Sequence, residues 1–172
     1  VIDSIDYLIN LGVNAIELMP VNQFDGNDSW GYMPAFFFAP DKIYGTSDML
    51  KEFIDICHQN GIAVILDMVF NHASGNNTMA RLYYNKEKQR PTWQNPWFNE
   101  LIPHPFGYHN DFDHESQYTQ DFVDRVLKYW IEEYRFDGYR LDLSKGFTNN
   151  VTVAYDDEGD IIWDDVGAWN QY

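Results

Sequence analysis

Positive charge is scarce in this chain of 172 residues, which has 11 lysine and arginine residues against 27 aspartate and glutamate residues. The formal net charge is −16. Nucleic acids and anionic membranes recruit proteins through positive surface charge, so we expect neither as a partner. A neutral polar ligand such as a sugar is compatible with this charge.

Cysteine and long apolar runs are also scarce. Cys57 is the single cysteine, which excludes an internal disulfide, and we expect it to be a buried structural residue of a helix. No apolar run approaches the roughly 18 residues that a membrane-spanning helix needs, and no charged-then-apolar leader is visible. The chain starts at Val1 rather than at methionine, so the compartment stays open.

Strands and helices alternate along the chain. We predict strands at residues 13–19, 62–66 and 136–141, and helices at residues 3–11, 47–60 and 116–134. Ser47 is the predicted cap of the second helix. The apolar run at 62–66 is typical of a parallel strand buried on both faces. This alternation predicts an α/β fold with a parallel sheet and right-handed crossovers.

Residues 73–115 interrupt the alternation and form a stretch far longer than an ordinary loop. The stretch is rich in aromatic residues and proline. We therefore expect a functional excursion or a small subdomain. Most of its aromatic side chains should pack a small core of their own, and one or two could stack on sugars.

The last predicted strand ends in an Arg-Leu-Asp triplet. Arg140 and Asp142 are two residues apart, and side chains two apart on a strand point to the same face. A neighbouring guanidinium favours the ionised form of a carboxyl group. A charged, oriented carboxylate at the end of a buried strand is what covalent glycosyl transfer requires. Taken alone, the pair could equally be a salt bridge that fastens a strand end.

Two further motifs follow the other predicted strands. Residues 67–72 read Asp-Met-Val-Phe-Asn-His directly after the apolar strand, and Trp30-Gly31-Tyr32 follows the first strand. Active sites of parallel barrels lie at the carboxyl ends of the strands, so these residues should converge with Asp142.

The three motifs together resemble those of the α-amylase family of glycoside hydrolases (family 13). That family has a glycine-aromatic-arginine-x-aspartate run at the end of its fourth barrel strand. It also has an aspartate-x-valine-x-asparagine-histidine motif after the third. The resemblance implies a (β/α)8 TIM barrel, present here in part, at about strands 2 to 4. Residues 1–172 would then be one partial catalytic barrel domain, with 73–115 as the insertion that the family calls domain B.

The resemblance also implies roles for individual residues. Asp142 would be the nucleophile with Arg140 beside it, and Asp67 would help to orient Arg140. His72 would hydrogen-bond a sugar hydroxyl. Tyr32 would stack under the sugar ring at the cleavage site, because an aromatic face covers the apolar side of a pyranose.

Two positions carry weaker implications. Lys145 would contact the sugar on the leaving-group side, but Gly146 stands where many α-amylases have histidine, which puts the preference there in doubt. Asn71 matches a calcium ligand of many α-amylases, and the acidic residues of 110–116 could add oxygen ligands. Calcium is therefore a candidate ligand, and no cofactor is required.

Retaining glycosidases use two carboxyl groups, a nucleophile and an acid/base. The family supplies the acid/base glutamate from the next strand, which we expect beyond Tyr172. Glu115 and Glu158 sit in predicted loops and do not replace it. We therefore expect the parent protein to cleave α-1,4- or α-1,6-linked glucans (starch, glycogen or maltodextrin) with retention. The isolated chain should be inactive.

Three alternatives stay open to different degrees. A transglycosidase, such as a branching enzyme or glucanotransferase, shares the motifs and the covalent intermediate. A non-catalytic sugar-binding relative would be expected to lose the site residues, which this chain retains. A nucleotide-binding protein would need a glycine-rich phosphate loop after a strand, and the sequence has none.

Overall fold

The computed structural model of the chain describes residues 2–151 and 153–162. The chain forms two compact units, each built from two segments. Among the described residues, the first unit comprises 2–69 and 123–142. The second comprises 70–122, 143–151 and 153–162.

The helices and strands alternate as predicted in the first unit and become short in the second. In chain order they are α1 (Ile5–Leu11), β1 (Ala15–Leu18), β2 (Asn22–Phe24), β3 (Pro34–Pro40), α2 (Ser47–Gln59), β4 (Ala63–Val69), β5 (His72–Ala73), α3 (Thr78–Leu82), β6 (Tyr84–Asn85), β7 (Arg90–Pro91), β8 (Asn110–Asp111), α4 (Gln117–Tyr134) and β9 (Gly138–Asp142). Single 3-10 turns lie at Ile2–Ser4, Lys42–Tyr44 and Ser144–Gly146.

A three-stranded parallel sheet organises the first unit, in the order β1-β4-β9. The register places Leu18 opposite Leu66 and Asp67 opposite Arg140. Parallel neighbours joined through helices are the arrangement that the alternating sequence predicts. The carboxyl ends of β4 and β9 therefore lie side by side.

Burial differs between the central and the flanking strands. Val64, Leu66 and Met68 share one face of β4 and have no exposed surface, whereas Ala63 and Ile65 on the other face are half-buried. The predicted burial of residues 62–66 on both faces is therefore complete on one face only. The prediction of a buried strand at 136–141 is wrong in detail. The strand runs from Gly138 to Asp142, and Arg140 and Leu141 are exposed. In the part of the chain that the structure describes, β9 pairs with β4 alone, so its far edge is open.

Helices α2 and α4 supply the apolar surface that covers this sheet unit. Cys57 of α2 is fully buried, which confirms the expectation of a structural cysteine, and burial raises the pKa of its thiol. Trp130 of α4 is also fully buried, and its indole N–H donates to the carbonyl of Phe37 at 2.8 Å. This buried hydrogen bond attaches helix α4 to strand β3 and satisfies the indole N–H away from water.

The start of α2 corrects the predicted cap. Thr46, not Ser47, is the N-cap residue, and its hydroxyl accepts a hydrogen bond from Met49 N at 3.2 Å. Thr46 has extended backbone angles, whereas Ser47 is already the first helical residue. The end of the helix lies within one residue of the prediction.

The second unit is built mostly from loops around short antiparallel pairs, β5 with β8 and β6 with β7. Aromatic rings form part of its interior: Phe98 and Phe112 are stacked 4.3 Å apart, and both are buried. In contrast, 78% of the surface of Trp93 is exposed. Residues 156–160 form a largely exposed turn closed by an antiparallel bridge between Tyr155 and Ile161.

Across residues 2–151 and 153–162, none of the helices combines the length and apolar character needed to cross a membrane.

Candidate active site

Asp67 is the buried centre of the site in the first unit. It lies on β4, directly opposite Arg140 of β9, and only 1% of its surface is exposed. Nη1 of Arg140 donates to both carboxylate oxygens, at 3.0 Å and 2.8 Å. A buried carboxylate is costly unless it is paired and hydrogen-bonded, and Asp67 meets both conditions. The orientation of Arg140 is therefore set by a residue that is itself fixed.

The same guanidinium nitrogen also reaches Asp142. Nη1 of Arg140 donates to Oδ1 of Asp142 at 2.7 Å, and the Asp142 side chain is 15% exposed. Arg140 therefore bridges two carboxylates, one buried and one partly exposed. The hydrogen bond to Asp67 is the main cause that raises the pKa of Arg140, so the guanidinium is permanently charged.

Tyr32 completes a continuous chain of hydrogen bonds. Its hydroxyl donates to Oδ2 of Asp67 at 2.7 Å. Burial first, and then Asp67, raise the pKa of Tyr32 to about 12, so the phenol stays protonated. Tyr32 is reached by a tight turn at Gly31, where φ is +93° and a Cβ atom would lie 2.1 Å from the Pro20 carbonyl oxygen. Only glycine fits that position.

This chain of bonds leaves part of Asp142 available. Among the described residues, Asp142 accepts a hydrogen bond through Oδ1 alone. Oδ2 is then the oxygen that can attack an electrophile. The backbone turns sharply after this residue, because Leu143 adopts the left-handed conformation with φ +46°.

The other predicted site residues belong to the second unit. His72 lies on β5 opposite Asp111, is 3% exposed, and has Nδ1 3.2 Å from the amide nitrogen of Asn71. Its ring packs against Tyr108 with centroids 5.5 Å apart. Lys145 is exposed and holds Nζ 6.0 Å from the centre of the Phe106 ring. The roles assigned to His72 and Lys145 stay predictions.

The donors around Asn71 fit a calcium ion poorly. Calcium takes six to eight oxygen ligands, but a histidine nitrogen lies beside two of the oxygens present. Nε2 of His104 lies 2.8 Å from the carbonyl of Gly146 and 3.4 Å from Oδ1 of Asp111. No cluster of three or more His, Cys, Asp or Glu side chains within 2–151 and 153–162 is arranged to hold a metal ion. Asn71 as a calcium ligand stays a prediction that this donor set does not support.

His104 is the residue of this region that sequence reasoning missed. It is 1% exposed although it lies between Pro103 and Pro105 in an irregular segment. Nothing in the local sequence distinguishes it from a surface loop histidine. Its partner Gly146 is distant along the chain, and only the folded unit joins the two.

Comparison with known proteins adds independent information. Residues 1–106 match the family model "Alpha amylase, catalytic domain". The chain is 35% identical over 152 residues to malto-oligosyltrehalose trehalohydrolase of Saccharolobus solfataricus, covering 87% of this chain and 25% of that protein. It is 36% identical over 143 residues to a 1,4-alpha-glucan branching enzyme of Aliivibrio fischeri, covering 80% and 19% respectively.

A solved structure agrees with these matches. The type I pullulanase of Bacillus subtilis, crystallised with maltose, superposes with a TM-score of 0.64 at 36% identity. That match covers 80% of this chain and 21% of the pullulanase. The chain thus spans about a quarter or less of the length of these relatives. The structural neighbours are (β/α)8 proteins, which identifies the β1-β4-β9 sheet as part of such a barrel. The chain belongs to the α-amylase family of glycoside hydrolases and glycosyl transferring enzymes that act on α-glucans.

Proposed function

We propose that this chain carries the nucleophile of a retaining enzyme that acts on α-glucans, and that Asp142 is that nucleophile. One observation carries the proposal. Asp142 is held at the end of β9 by Arg140, whose direction is fixed by the buried Asp67. Such preorganisation fixes the direction in which the carboxylate points.

The chemical steps follow from this geometry. Oδ2 of Asp142 attacks the anomeric carbon of the glucosyl unit, and the bond from that carbon to the glycosidic oxygen breaks. The leaving oxygen takes a proton from an acid, for which we assign no residue of this chain. Water or a sugar hydroxyl then attacks the anomeric carbon, releases the Asp142 carboxylate and loses its proton.

The substrate contacts are part of the same proposal. Tyr32 stacks under the glucosyl ring, and its hydroxyl stays on Asp67 because the phenol remains protonated. His72 bonds a sugar hydroxyl, and the exposed Lys145 contacts the leaving-group side. The proposed steps require no metal or organic cofactor.

Transfer to a sugar is the second candidate, and a specific observation favours it. The matched relatives include a branching enzyme as well as hydrolases. In addition, Gly146 replaces the histidine that many α-amylases have on the leaving-group side. Both activities use the same intermediate on Asp142, so the site geometry supports either. A non-catalytic sugar-binding role is disfavoured because the hydrogen-bond chain around Asp142 is intact.

A glycosyl fluoride tests the nucleophile by itself, since fluoride leaves without a proton from an acid. The chain is incubated with α-maltosyl fluoride and digested with a protease, and the masses of the peptides are measured by mass spectrometry. We expect a maltosyl ester on the peptide that contains Asp142, none in Asp142→Asn, and unchanged labelling in the exposed control Asp55→Asn. Labelling of Asp142→Asn at the wild-type rate would exclude Asp142 as the nucleophile.

Activity on natural glucans gives a second test. We propose that the isolated chain does not turn over maltodextrin. Turnover that persists in the Asp142→Asn variant would contradict both this statement and the assigned nucleophile. For a longer protein that contains this chain, product analysis separates hydrolysis from transfer.

A further inference from the structure

A buried polar cluster in the second unit is not used by the proposed chemistry. It consists of Asn71, His104, Asp111 and Gly146, and the first three residues are each at most 1% exposed. Three of its atoms have no hydrogen-bond partner among the described residues: Oδ1 of Asn71, Nδ1 of His104 and Oδ1 of Asp111. Buried unsatisfied polar atoms are rare in folded proteins, so this cluster needs a physical explanation.

His104 is the donor at the centre of the cluster. Its Nε2 lies 2.8 Å from the Gly146 carbonyl, which can only accept, so Nε2 carries the proton. The same nitrogen lies 3.4 Å from Oδ1 of Asp111. One N–H group therefore stands between a carbonyl oxygen and a carboxylate oxygen that come from distant parts of the chain.

Asn71 and Gly146 close the cluster from the other side. The Asn71 amide donates to the Phe106 carbonyl at 2.8 Å, in the loop that carries His104. A Cβ atom at position 146 would lie 1.8 Å from Oδ1 of Asn71 and 2.9 Å from Cε1 of His104. A side chain at this position would collide with both, so glycine is needed for the imidazole to sit here.

We propose that the N–H of His104 takes the place of a bound cation, drawing the Gly146 carbonyl and the Asp111 carboxylate together so that the second unit folds without calcium. A divalent cation gathers carbonyl, amide and carboxylate oxygens by its charge. Here the Gly146 carbonyl accepts a hydrogen bond from Nε2 of His104, and the Asp111 carboxylate lies 3.4 Å from the same nitrogen. The inference concerns the folding of this unit and does not depend on the proposed catalytic role.

The electrostatics of Asp111 are consistent with a donor that lacks full charge. Burial raises the pKa of Asp111 to about 7, although the Asn99 amide, 2.9 Å from Oδ2, opposes the rise. Burial likewise lowers the pKa of His104. Burial disfavours the charged forms of both side chains, so His104 interacts with Asp111 and Gly146 as a neutral hydrogen-bond donor and not as an imidazolium ion.

The test is the melting temperature of the 172-residue chain with millimolar CaCl2, with EDTA, and with MgCl2 at matched ionic strength. We expect no difference among these conditions for the wild type. His104→Ala removes the donor and opens space beside three oxygens. It should melt lower than the wild type, and CaCl2 should restore stability in a saturable manner.

Two variants control for simple loss of packing. His104→Gln places an amide N–H near the position of Nε2, so it should remain stable and insensitive to calcium. His114 also donates through Nε2 to a backbone carbonyl, that of Phe70 at 2.8 Å. His114→Ala should therefore lower the melting temperature without a calcium response.

Several outcomes would overturn the inference. A wild-type melting temperature that rises saturably with CaCl2 and falls in EDTA shows that the cluster binds a cation despite His104. A His104→Ala variant could be as stable as the wild type, or it could be destabilised without any calcium response. Either result would show that the His104 N–H does not take the place of a bound cation. If His104→Ala does not fold, the melting temperature of the wild type as a function of CaCl2 concentration tests the proposal by itself.

Discussion

At the scale of single residues, the two carboxylates held by Arg140 differ in burial. The Asp67 side chain is 2% exposed and accepts from Tyr32 and Arg140, whereas the Asp142 side chain is 15% exposed and accepts from Arg140. A buried carboxylate that loses its charge leaves strong donors poorly matched. A more exposed one is partly solvated in either state. Stability should therefore depend on Asp67 and chemistry on Asp142.

Asp67→Asn and Asp142→Asn test this division. We expect Asp67→Asn to lower the free energy of unfolding by about 2 kcal/mol, because hydrogen bonds to a buried charge are lost. Asp142→Asn should lower it by less than about 1 kcal/mol yet abolish maltosyl labelling. Urea unfolding measures both. Equal losses of stability for the two variants would show that burial does not separate their roles.

At the scale of secondary-structure elements, the N-terminus of α2 shows how a cap is chosen. Thr46 and Ser47 both carry hydroxyl groups that can accept from a free helical N–H. The extended backbone of Thr46 aims its hydroxyl at Met49 N, whereas Ser47 is already helical. Backbone conformation rather than residue type decides which of the two serves.

The two candidate caps can be compared directly. Thr46→Ala should lower the free energy of unfolding by about 1 kcal/mol, the usual effect of losing a cap. Ser47→Ala should leave it within about 0.5 kcal/mol of the wild type. Thermal unfolding followed by circular dichroism measures both variants. A larger loss of stability for Ser47→Ala than for Thr46→Ala would show that Ser47 is the N-cap residue.

The junction before β9 depends on Asp137, which links β4 and α2. Its Oδ2 accepts from Val64 N at 2.7 Å and lies 2.9 Å from Nε2 of His58. Burial by itself raises the pKa of this carboxyl. The hydrogen bond from Val64 and the interaction with His58 outweigh burial, so the pKa of Asp137 lies below its ordinary value. A lowered pKa in the folded state means that the folded protein binds fewer protons there than the unfolded chain.

The contribution of Asp137 should therefore be present above about pH 4 and be lost as the pH falls below that value. Asp137→Asn removes the charge at every pH. We expect the variant to have a lower melting temperature than the wild type near neutral pH. The difference in melting temperature should disappear as the pH is lowered. The exposed control Asp124→Asn should show no such convergence. A gap that is constant down to the lowest pH at which the protein is folded would contradict the assignment.

At the scale of the whole molecule, the parallel sheet has two open edges. Among the described residues, β1 and β9 each pair with β4 alone. Leu141 is 40% exposed on β9. An open edge with an apolar side chain can pair with another copy of the chain. The chain covers a quarter or less of the length of these relatives, and a closed barrel has no edges of this kind.

We expect the isolated chain to self-associate as its concentration rises, as seen by sedimentation velocity. Leu141→Lys adds a charge to the β9 edge and should shift the distribution toward monomer. Val151 is 67% exposed and lies outside the strands, so Val151→Lys is the matched control and should have no effect. Unchanged association in Leu141→Lys would exclude the β9 edge as the contact.

Much of this arrangement could be predicted from the sequence. Hydrophobic periodicity and the Arg-Leu-Asp spacing are local signals, and they predicted the strands, the helices and the pairing of Arg140 with Asp142. The resemblance of three short motifs predicted the family and the bond between Asp67 and Arg140. The sequence by itself therefore determined the family, the order of elements and the residues of the candidate site.

Only the tertiary structure decided the rest. Which hydroxyl caps α2, how far β9 is exposed, and that Tyr32 bonds Asp67 all depend on the path of the backbone. The position of His104 between Gly146 and Asp111 joins residues that are far apart in the chain. The physical reason is that these contacts join segments that are far apart in the chain, so no local sequence pattern predicts them. Burial strengthens them because the surrounding dielectric constant is low.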